Sequence, residues 1–540
     1  MTESGRPADD RPLRAPRGDR TALVAPPYDA VSEMLAANSR RRAAYRVDVL
    51  GRSLADLSAE ARSEMLLAAR DYTAAYRDVP GAKANGPLLL AGHQPELFHP
   101  GVWFKNFALA GLARRHGGTA VNLVIDNDTL KAASLRVPGG TIAQPTARAI
   151  EFDAAAEEMP FEQRPVLDRK LFASFGRRAA EEIAPLVSDP LLRELWPLAV
   201  ERAAATGNLG LALAQSRHAL EGEFGLATLE LPQSRVCQLA AFHWFAAHLL
   251  SRLPRFRREY NQTVAEYRRS HRIRSANHPV PDLAENDGWL EAPFWIWSDD
   301  DPRRRRAFAR QVGKELRLGD RGRVEFRLPL HSDGEGRLAA EALRQLAAQG
   351  MKLRTRALTT TLFARLVMGD LFLHGIGGAK YDRITDALMT RFYGVEPPEF
   401  MVLSATLLLP IARPGVGVED LRRVERELRE LTYQPERHVA VDSDLTDRME
   451  LARLLQSKRA LIAQQPARRE KRERCDAIRA VNAALQPRVA LRRETLSAEL
   501  ADLERRLKAE AILASREFSF CLYPRKSLRD FYLEKSPPGV

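Results

Sequence analysis

The chain has 540 residues, 45% hydrophobic, 28% charged and 7% aromatic, a globular composition with length for about two to four cores. No apolar run approaches the roughly 20 residues that span a bilayer, and the polar start MTESGRPADDRPLRAPRGDR lacks the apolar centre of a secretion signal. The net charge of +13 would suit an anionic partner, but Arg scattered through Ala/Leu/Arg/Glu-rich helices explains it equally, so neither nucleic acid nor membrane is an expected partner.

Residues 1–27 read as a disordered leader rich in Arg, Asp and Pro, and 28–85 as a helical segment ending in the linker PGAKANGP. In 86–150 the pattern changes. LLLAG is a short buried strand, VWFKNFALAGLARRHGG a helix stopped by Gly117 and Gly118, and TAVNLVID a second buried strand. Strand, helix and strand make a βαβ unit with parallel strands. Residues 151–285 read as a helical connecting region.

From 286 to 415, aromatic runs alternate with the polar turns SDDDP and GDRG, which predicts antiparallel hairpins. Then KLRTRA, the helical LTTTLFARLVMGD, the strand LFLHG, a loop IGGAK, a helix to Tyr393 and FMVLSATLLL form a second βαβ-like series. The core is therefore an α/β sheet split by a long insertion. Over 416–515, Leu421, Val424, Leu428 and Leu431, and later Leu496, Leu500, Leu503 and Leu507, step by three and four. This predicts an antiparallel helical hairpin or coiled coil interrupted at Pro435, Pro466 and Pro487, through which a homodimer is expected. The aromatic tail 516–540 is expected to dock back onto the body.

Ligands of open parallel sheets bind beyond the carboxyl ends of the strands, where three loops carry chemistry. In Gly92–Gly101, His93 is a candidate acid or base, Gln94 can orient a substrate, and the following helix N-terminus with Gly92, Gly101 and Lys105 can hold an anion. The plainer alternative is that His93 and Gln94 satisfy turn backbone while Trp103 and Phe104 are core. In IDNDTLK, Asp126 and Asp128 would share one face of an extended chain and bind a ribose, an amine or hydrated Mg²⁺, or else cap the next segment. In HGIGGAKYD, the glycines Gly377 and Gly378 admit a close ligand, with His374, Lys380 and Tyr381 beside them; neither GxxxxGK[ST] nor GxGxxG is present.

Other features read as structure. The run Arg303–Arg306 reads as a solvated face paired with Asp299–Asp301, with anion binding as the alternative, and Trp289, Phe294, Trp295 and Trp297 as core or subdomain interface. Cys237, Cys475 and Cys521 form no CxxC pair, His243 and His248 do not share a helix face, and no zinc spacing occurs. No metal site is expected, and the cytoplasm is the expected compartment.

The order of motifs resembles the bacillithiol-biosynthesis cysteine-adding enzymes, a family of cysteine ligases. AGHQPELFHPGVW is similar to their GQQ-x-G-LF-x-GP loop, LVIDND falls where they carry an acidic strand end, and the block from KLRTRA to SATLLL looks like their glycine and SATL motifs. The resemblance covers about 88–149 and 290–409 plus the coiled coil. It implies a Rossmann-like core, a small-molecule substrate, and ligation of an amino acid to an amino-sugar amine, with ATP or ADP as a candidate cofactor. Gly92, Gln94, Leu97, Phe98, Gly377 and Gly378 match best. His93 replaces the family's first Gln, Glu96 its Gly, and Pro100-Gly101 reverses its Gly-Pro. Lys105 falls about two positions before its helix lysine, DNDT lacks its histidine, and Lys380 stands at its acidic end. A second expectation is a catalytically inactive scaffold or nucleotide-binding protein on the same core.

Overall fold

The computed structural model describes residues 13–79, 86–322, 325–329, 336–439 and 445–537. Most of the PGAKANGP linker and the start of the leader lie outside the described residues. The chain enters through β1 (Thr21–Ala25), α1 (Val31–Ala44) and α2 (Leu54–Ala74). β1 replaces the expected disorder over 21–25, the end of the leader. Thr21 pairs with Thr406 and Ala25 with Val402, antiparallel, and the β-prone, largely apolar TALVA suits an edge strand.

Next come β2 (Leu88–His93), α3 (Pro100–Arg115) and β3 (Thr119–Val124), the βαβ unit expected. The hairpin β4 (Ser134–Gly140) and β5 (Pro145–Glu151) leads to α4 (Arg169–Ile183), α5 (Leu192–Thr206) and α6 (Leu209–Glu223). Ser53, Asp168 and Asn208 start α2, α4 and α6 by accepting a first-turn N–H. The connecting region is not helical throughout, because Thr228–Pro232 is β6, parallel to β3. Short α7 (Gln233–Val236), α8 (Ala240–Ser251) and α9 (Leu253–Ser270) follow.

β7 (Glu285–Asn286), β8 (Trp289–Ser298), β9 (Arg305–Val312), β10 (Glu315–Gly319) and β11 (Glu325–Pro329) build the expected hairpins, and α10 (Gly336–Ala348) leads to β12 (Met351–Thr355). The order is β11-β10-β9-β8-β12, with β7 on β8. KLRTRA was expected in the parallel series. It closes the antiparallel sheet instead, against β8, because Ala339, Leu343 and Leu346 of α10 are buried against that same core and return the chain to it.

α11 (Ala357–Phe363), widened into a π-turn over Ala364–Met368, precedes β13 (Leu371–His374), α12 (Ile376–Leu388) and β14 (Phe400–Thr406). IGGAK is the first turn of α12, not a loop, with Gly375 as its N-cap. The core sheet runs β1-β14-β13-β2-β3-β6, and its last five strands are mutually parallel. From β2 the chain steps outward through β3 and β6, then returns to β13 and β14 on the other side. That reversal between β2 and β13 is the switch point of a Rossmann-like sheet. Leu88, Leu90, Val121, Leu123, Leu229 and Leu231 pack with Leu57, Ala61 and Met65 of α2. By alternation His93, Asn122 and Glu230 take the opposite face.

The chain divides into two compact units, the second comprising 138–147 and 411–515. It holds α13 (Val418–Tyr433), α14 (Leu445–Ala463) and α15 (Lys471–Leu513). α13 and α15 pair antiparallel within the chain. Val424 and Leu431 meet Val489, Leu496 and Leu503, with Arg423–Glu499 at 3.0 Å and Arg492–Glu427 at 2.9 Å. That seam is filled internally, so the expected homodimer would need another surface. Pro487 lies inside α15 and does not interrupt it. Leu485 and Val489 on either side are buried, and that packing offsets the one lost backbone bond. In the first unit, α16 (Arg525–Lys535) brings the tail back as expected: the Tyr532 ring stacks on Phe107 and its hydroxyl donates to Pro100 O. No described helix is long and apolar enough to cross a membrane.

Candidate functional site

Two cavities open at the carboxyl end of the core sheet, one on each side of the Gly92–Gly101 loop. The larger, about 450 Å³, lies at the switch point and is lined by His99, Gly101, Val102 and Lys105 of the α3 start, Gly375, Ile376, Gly377 and Lys380 of the α12 start, and Arg14, Ser404, Arg516 and Glu517. α12 begins directly after β13 and α3 follows β2 across the 94–99 loop, so the positive dipole ends of both helices converge on one space. Ile376, Gly377 and Gly378 offer first-turn N–H groups there, whereas at α3 Pro100 has none and Val102 N is bonded to His99 O. His99 fixes the α3 end, its Nδ1 accepting from Gly101 N at 3.1 Å.

Lys105 is buried and donates to Gly92 O at 2.6 Å. Burial pushes its ammonium down to about 8, with the neighbouring Arg217 charge adding to the effect. Lys380 is exposed at the cavity wall. A Cβ built on Gly375 or Gly377 would meet no described atom within 4 Å, so packing does not require glycine at either position. Gly378 differs, since its Cβ would come 2.7 Å from the His374 ring. Gly101 is required by packing against β14, where a Cβ would lie 2.0 Å from Ala405 O. The arrangement suits a phosphate or other polyanion, with glycines leaving room for it.

The second cavity, about 300 Å³, is lined by Gln94, Asp128, Tyr260, Trp295, Arg304, Arg356 and the hydroxyl-bearing Thr355, Thr359 and Thr360. Arg304 and Arg356 each lie 4.9 Å from the Trp295 ring centre, as cation–π partners. Arg304 is 2.9 Å from Asp128 Oδ1, Arg356 is 2.5 Å from Glu291, and Gln94 Nε2 donates to Asp128 Oδ2 at 3.1 Å. Two guanidiniums and a carboxylate around an indole suit a ligand carrying both a carboxylate and an amine.

The other candidates sit elsewhere. His93 lines neither cavity. It is buried, with Nδ1 3.2 Å from Gln94 O and Nε2 3.2 Å from Asn106 Oδ1. Burial, followed by Arg217 and Lys105, holds it well below the usual imidazole range, so it stays neutral. Asp126 and Asp128 do not share a face, because 126–128 is a turn. Asp126 is buried and accepts from Ser234 N at 2.8 Å and Ser234 Oγ at 2.5 Å. Burial and then Glu162 push its carboxyl up to about 7, against the Ser234 bonds. His374 is held by Asp382 at 2.5 Å, which Arg365 also pairs at 2.7 Å, an internal charge cluster. Tyr381 packs on the main hydrophobic core beside His278.

Sequence reasoning missed Arg14, His99, Arg356 and Arg516, and put Arg304 on a solvated face with anion binding as the alternative. Arg303 and Arg305 do pair with Asp301, but Arg304 turns inward. Its alternation with those two neighbours was the available signal. No protein-family model matches the chain, and no curated protein does either.

Proposed function

We propose that the protein is a carbon–nitrogen ligase that joins an amino acid, cysteine by the resemblance, to an amino-sugar or similar polar amine in low-molecular-weight thiol synthesis. The observation that carries this reading is the pair of helix N-termini, with Lys105, Lys380 and the open Gly375–Gly377 turn, at the switch point of the sheet. Those residues fit the phosphates of ATP or ADP, which when bound supply phosphoryl activation of a carboxylate. Lys105, the α12 amides and the α3 dipole hold the phosphates and offset developing negative charge. Arg304 and Arg356 hold a substrate carboxylate, and Asp128 orients an amine. His93 acts through its neighbours, fixing the loop that divides the cavities. The three free cysteines, Cys237, Cys475 and Cys521, agree with a reducing cytoplasm.

The burial and neutrality of His93 favour the second reading, a nucleotide-binding scaffold without turnover. Incubation of the full chain with ATP, Mg²⁺, cysteine and glucosaminyl-type amines, followed by mass spectrometry, separates the two. The ligase reading expects an ATP-dependent product whose mass is the sum of the two substrates less water. Nucleotide binding with no product across the amines favours the scaffold, and absence of nucleotide binding overturns both.

A further inference from the structure

Behind the loop, between the core sheet and helices α3 and α6, the interior is charged where such a layer is ordinarily apolar. Arg217, His218, Glu221 and Glu230 are each no more than 1% exposed. Arg217 holds one oxygen of each carboxylate, Glu221 Oε1 at 2.6 Å and Glu230 Oε1 at 2.5 Å. The second oxygen of each, Oε2, has no hydrogen-bond partner among the described residues. Two buried carboxyl groups share one guanidinium and each keeps an oxygen with free lone pairs, an arrangement that buried sites rarely tolerate.

His218 presents a nitrogen to the same place. Its Nε2 faces Thr228, 2.9 Å from the hydroxyl and 3.1 Å from the carbonyl; the carbonyl only accepts, so Nε2 carries the proton and Nδ1 keeps its lone pair. Nδ1 is 3.8 Å from Glu230 Oε2. It now accepts from the Tyr76 hydroxyl at 2.6 Å, a positive hydrogen end standing where a cation could. One ligand atom each from His218, Glu221 and Glu230 lie within 4.8 Å of one another.

An independent observation comes from β3. Asn122 is 0% exposed, and neither its Oδ1 nor its Nδ2 has a partner among the described residues. In the parallel β3–β6 pairing Asn122 is the register partner of Glu230, so the two side chains stand side by side on one sheet face.

We propose that His218, Glu221, Glu230 and Asn122 bind one divalent transition-metal cation. An imidazole nitrogen, two carboxylate oxygens and an amide oxygen form a mixed N/O donor set of the kind that takes Zn²⁺ or Mn²⁺. The cation displaces the Tyr76 hydroxyl, while Arg217 keeps the outer carboxylate oxygens in place. Glu221 Oε1 also accepts from Trp103 Nε1 at 2.6 Å and Asn106 Nδ2 at 2.7 Å, and Asn106 touches His93. The ion therefore ties α6, β3 and β6 to α3 and to the loop between the cavities, without entering either cavity.

The test loads the full chain separately with Zn²⁺ and Mn²⁺, desalts it and measures bound metal by mass spectrometry, with Tm alongside. About one equivalent of one cation per chain should be retained and Tm should rise. Glu230→Gln and Asn122→Leu should each retain less than about a tenth of that. Asn122→Leu removes a side chain that makes no hydrogen bond among the described residues, so it decides the matter even if Glu230→Gln fails to fold. The proposal is overturned if the wild type retains neither metal with Tm unmoved, or if folded Asn122→Leu retains as much as the wild type.

Discussion

Lys105 shows how burial converts an ordinary residue into a pH-dependent one. Its ammonium is held at about 8, so its charge is present below that pH and lost above it. Affinity of the switch-point cavity for ATP should fall roughly tenfold between pH 7 and pH 9, and Lys105→Met should bind weakly throughout with most of that slope gone. Equal slopes in both proteins would remove Lys105 from the site. Asp126 works through stability. Its carboxyl stands near 7 in the fold against about 3.9 unfolded, so the folded state holds the extra proton between those values. That contribution is complete below about pH 4 and is lost as pH rises through about 7. Asp126→Asn still accepts from Ser234 N. The wild-type Tm should therefore drop relative to Asp126→Asn between pH 4.5 and 7.5, and parallel curves would contradict the assignment.

Two glycines separate packing from ligand space within the helix starts. A Cβ at Gly101 would drive into Ala405 O of β14, so Gly101→Ala should cost about 2–4 kcal/mol in chemical denaturation. A Cβ at Gly377 meets no described atom within 4 Å. Gly377→Ala should leave stability unchanged or raise it by up to about 1 kcal/mol, while weakening phosphate binding in calorimetry. Equal destabilisation by both would remove the distinction. The sequence made β2, α3 and β3 legible because their apolar runs are unbroken and Gly117 and Gly118 stop the helix. It hid β6, where TLELP carries the buried Glu230, a charge that reads as solvent-facing until Arg217 is placed beside it. It hid Arg304 for the converse reason: Asp128, which pairs it inward, comes from a distant part of the chain. The glycines of IGGAK read as a loop, yet Gly377 and Gly378 lie in the first turn of a helix that the preceding Gly375 caps.

The strand order depends on pairing between segments far apart in sequence. Two parallel series were readable, but the placement of β13 beside β2, which creates the switch point, follows only from the assembled sheet. The leucine seam of α13 and α15 was readable from spacing alone, whereas Pro487 misled because proline is tolerated where long helices are packed on both sides of it. Leu496 is fully buried in that seam and Leu491 is 78% exposed. Leu496→Ala should destabilise the second unit by about 2–5 kcal/mol, and Leu491→Ala should change it by less than about 0.5 kcal/mol. Matching effects in thermal unfolding followed by circular dichroism would contradict the seam.

The central claim is that the two helix starts flanking the switch point hold the phosphates of a nucleotide. Equilibrium titration of ATP into the full chain, the Lys105→Met variant and the Gly377→Ala variant at pH 7 tests it most directly. Saturable binding by the wild type, weakened at least tenfold in Lys105→Met and also weakened in Gly377→Ala, is the predicted result. No saturable binding at millimolar ATP, or identical binding by all three proteins, would contradict it.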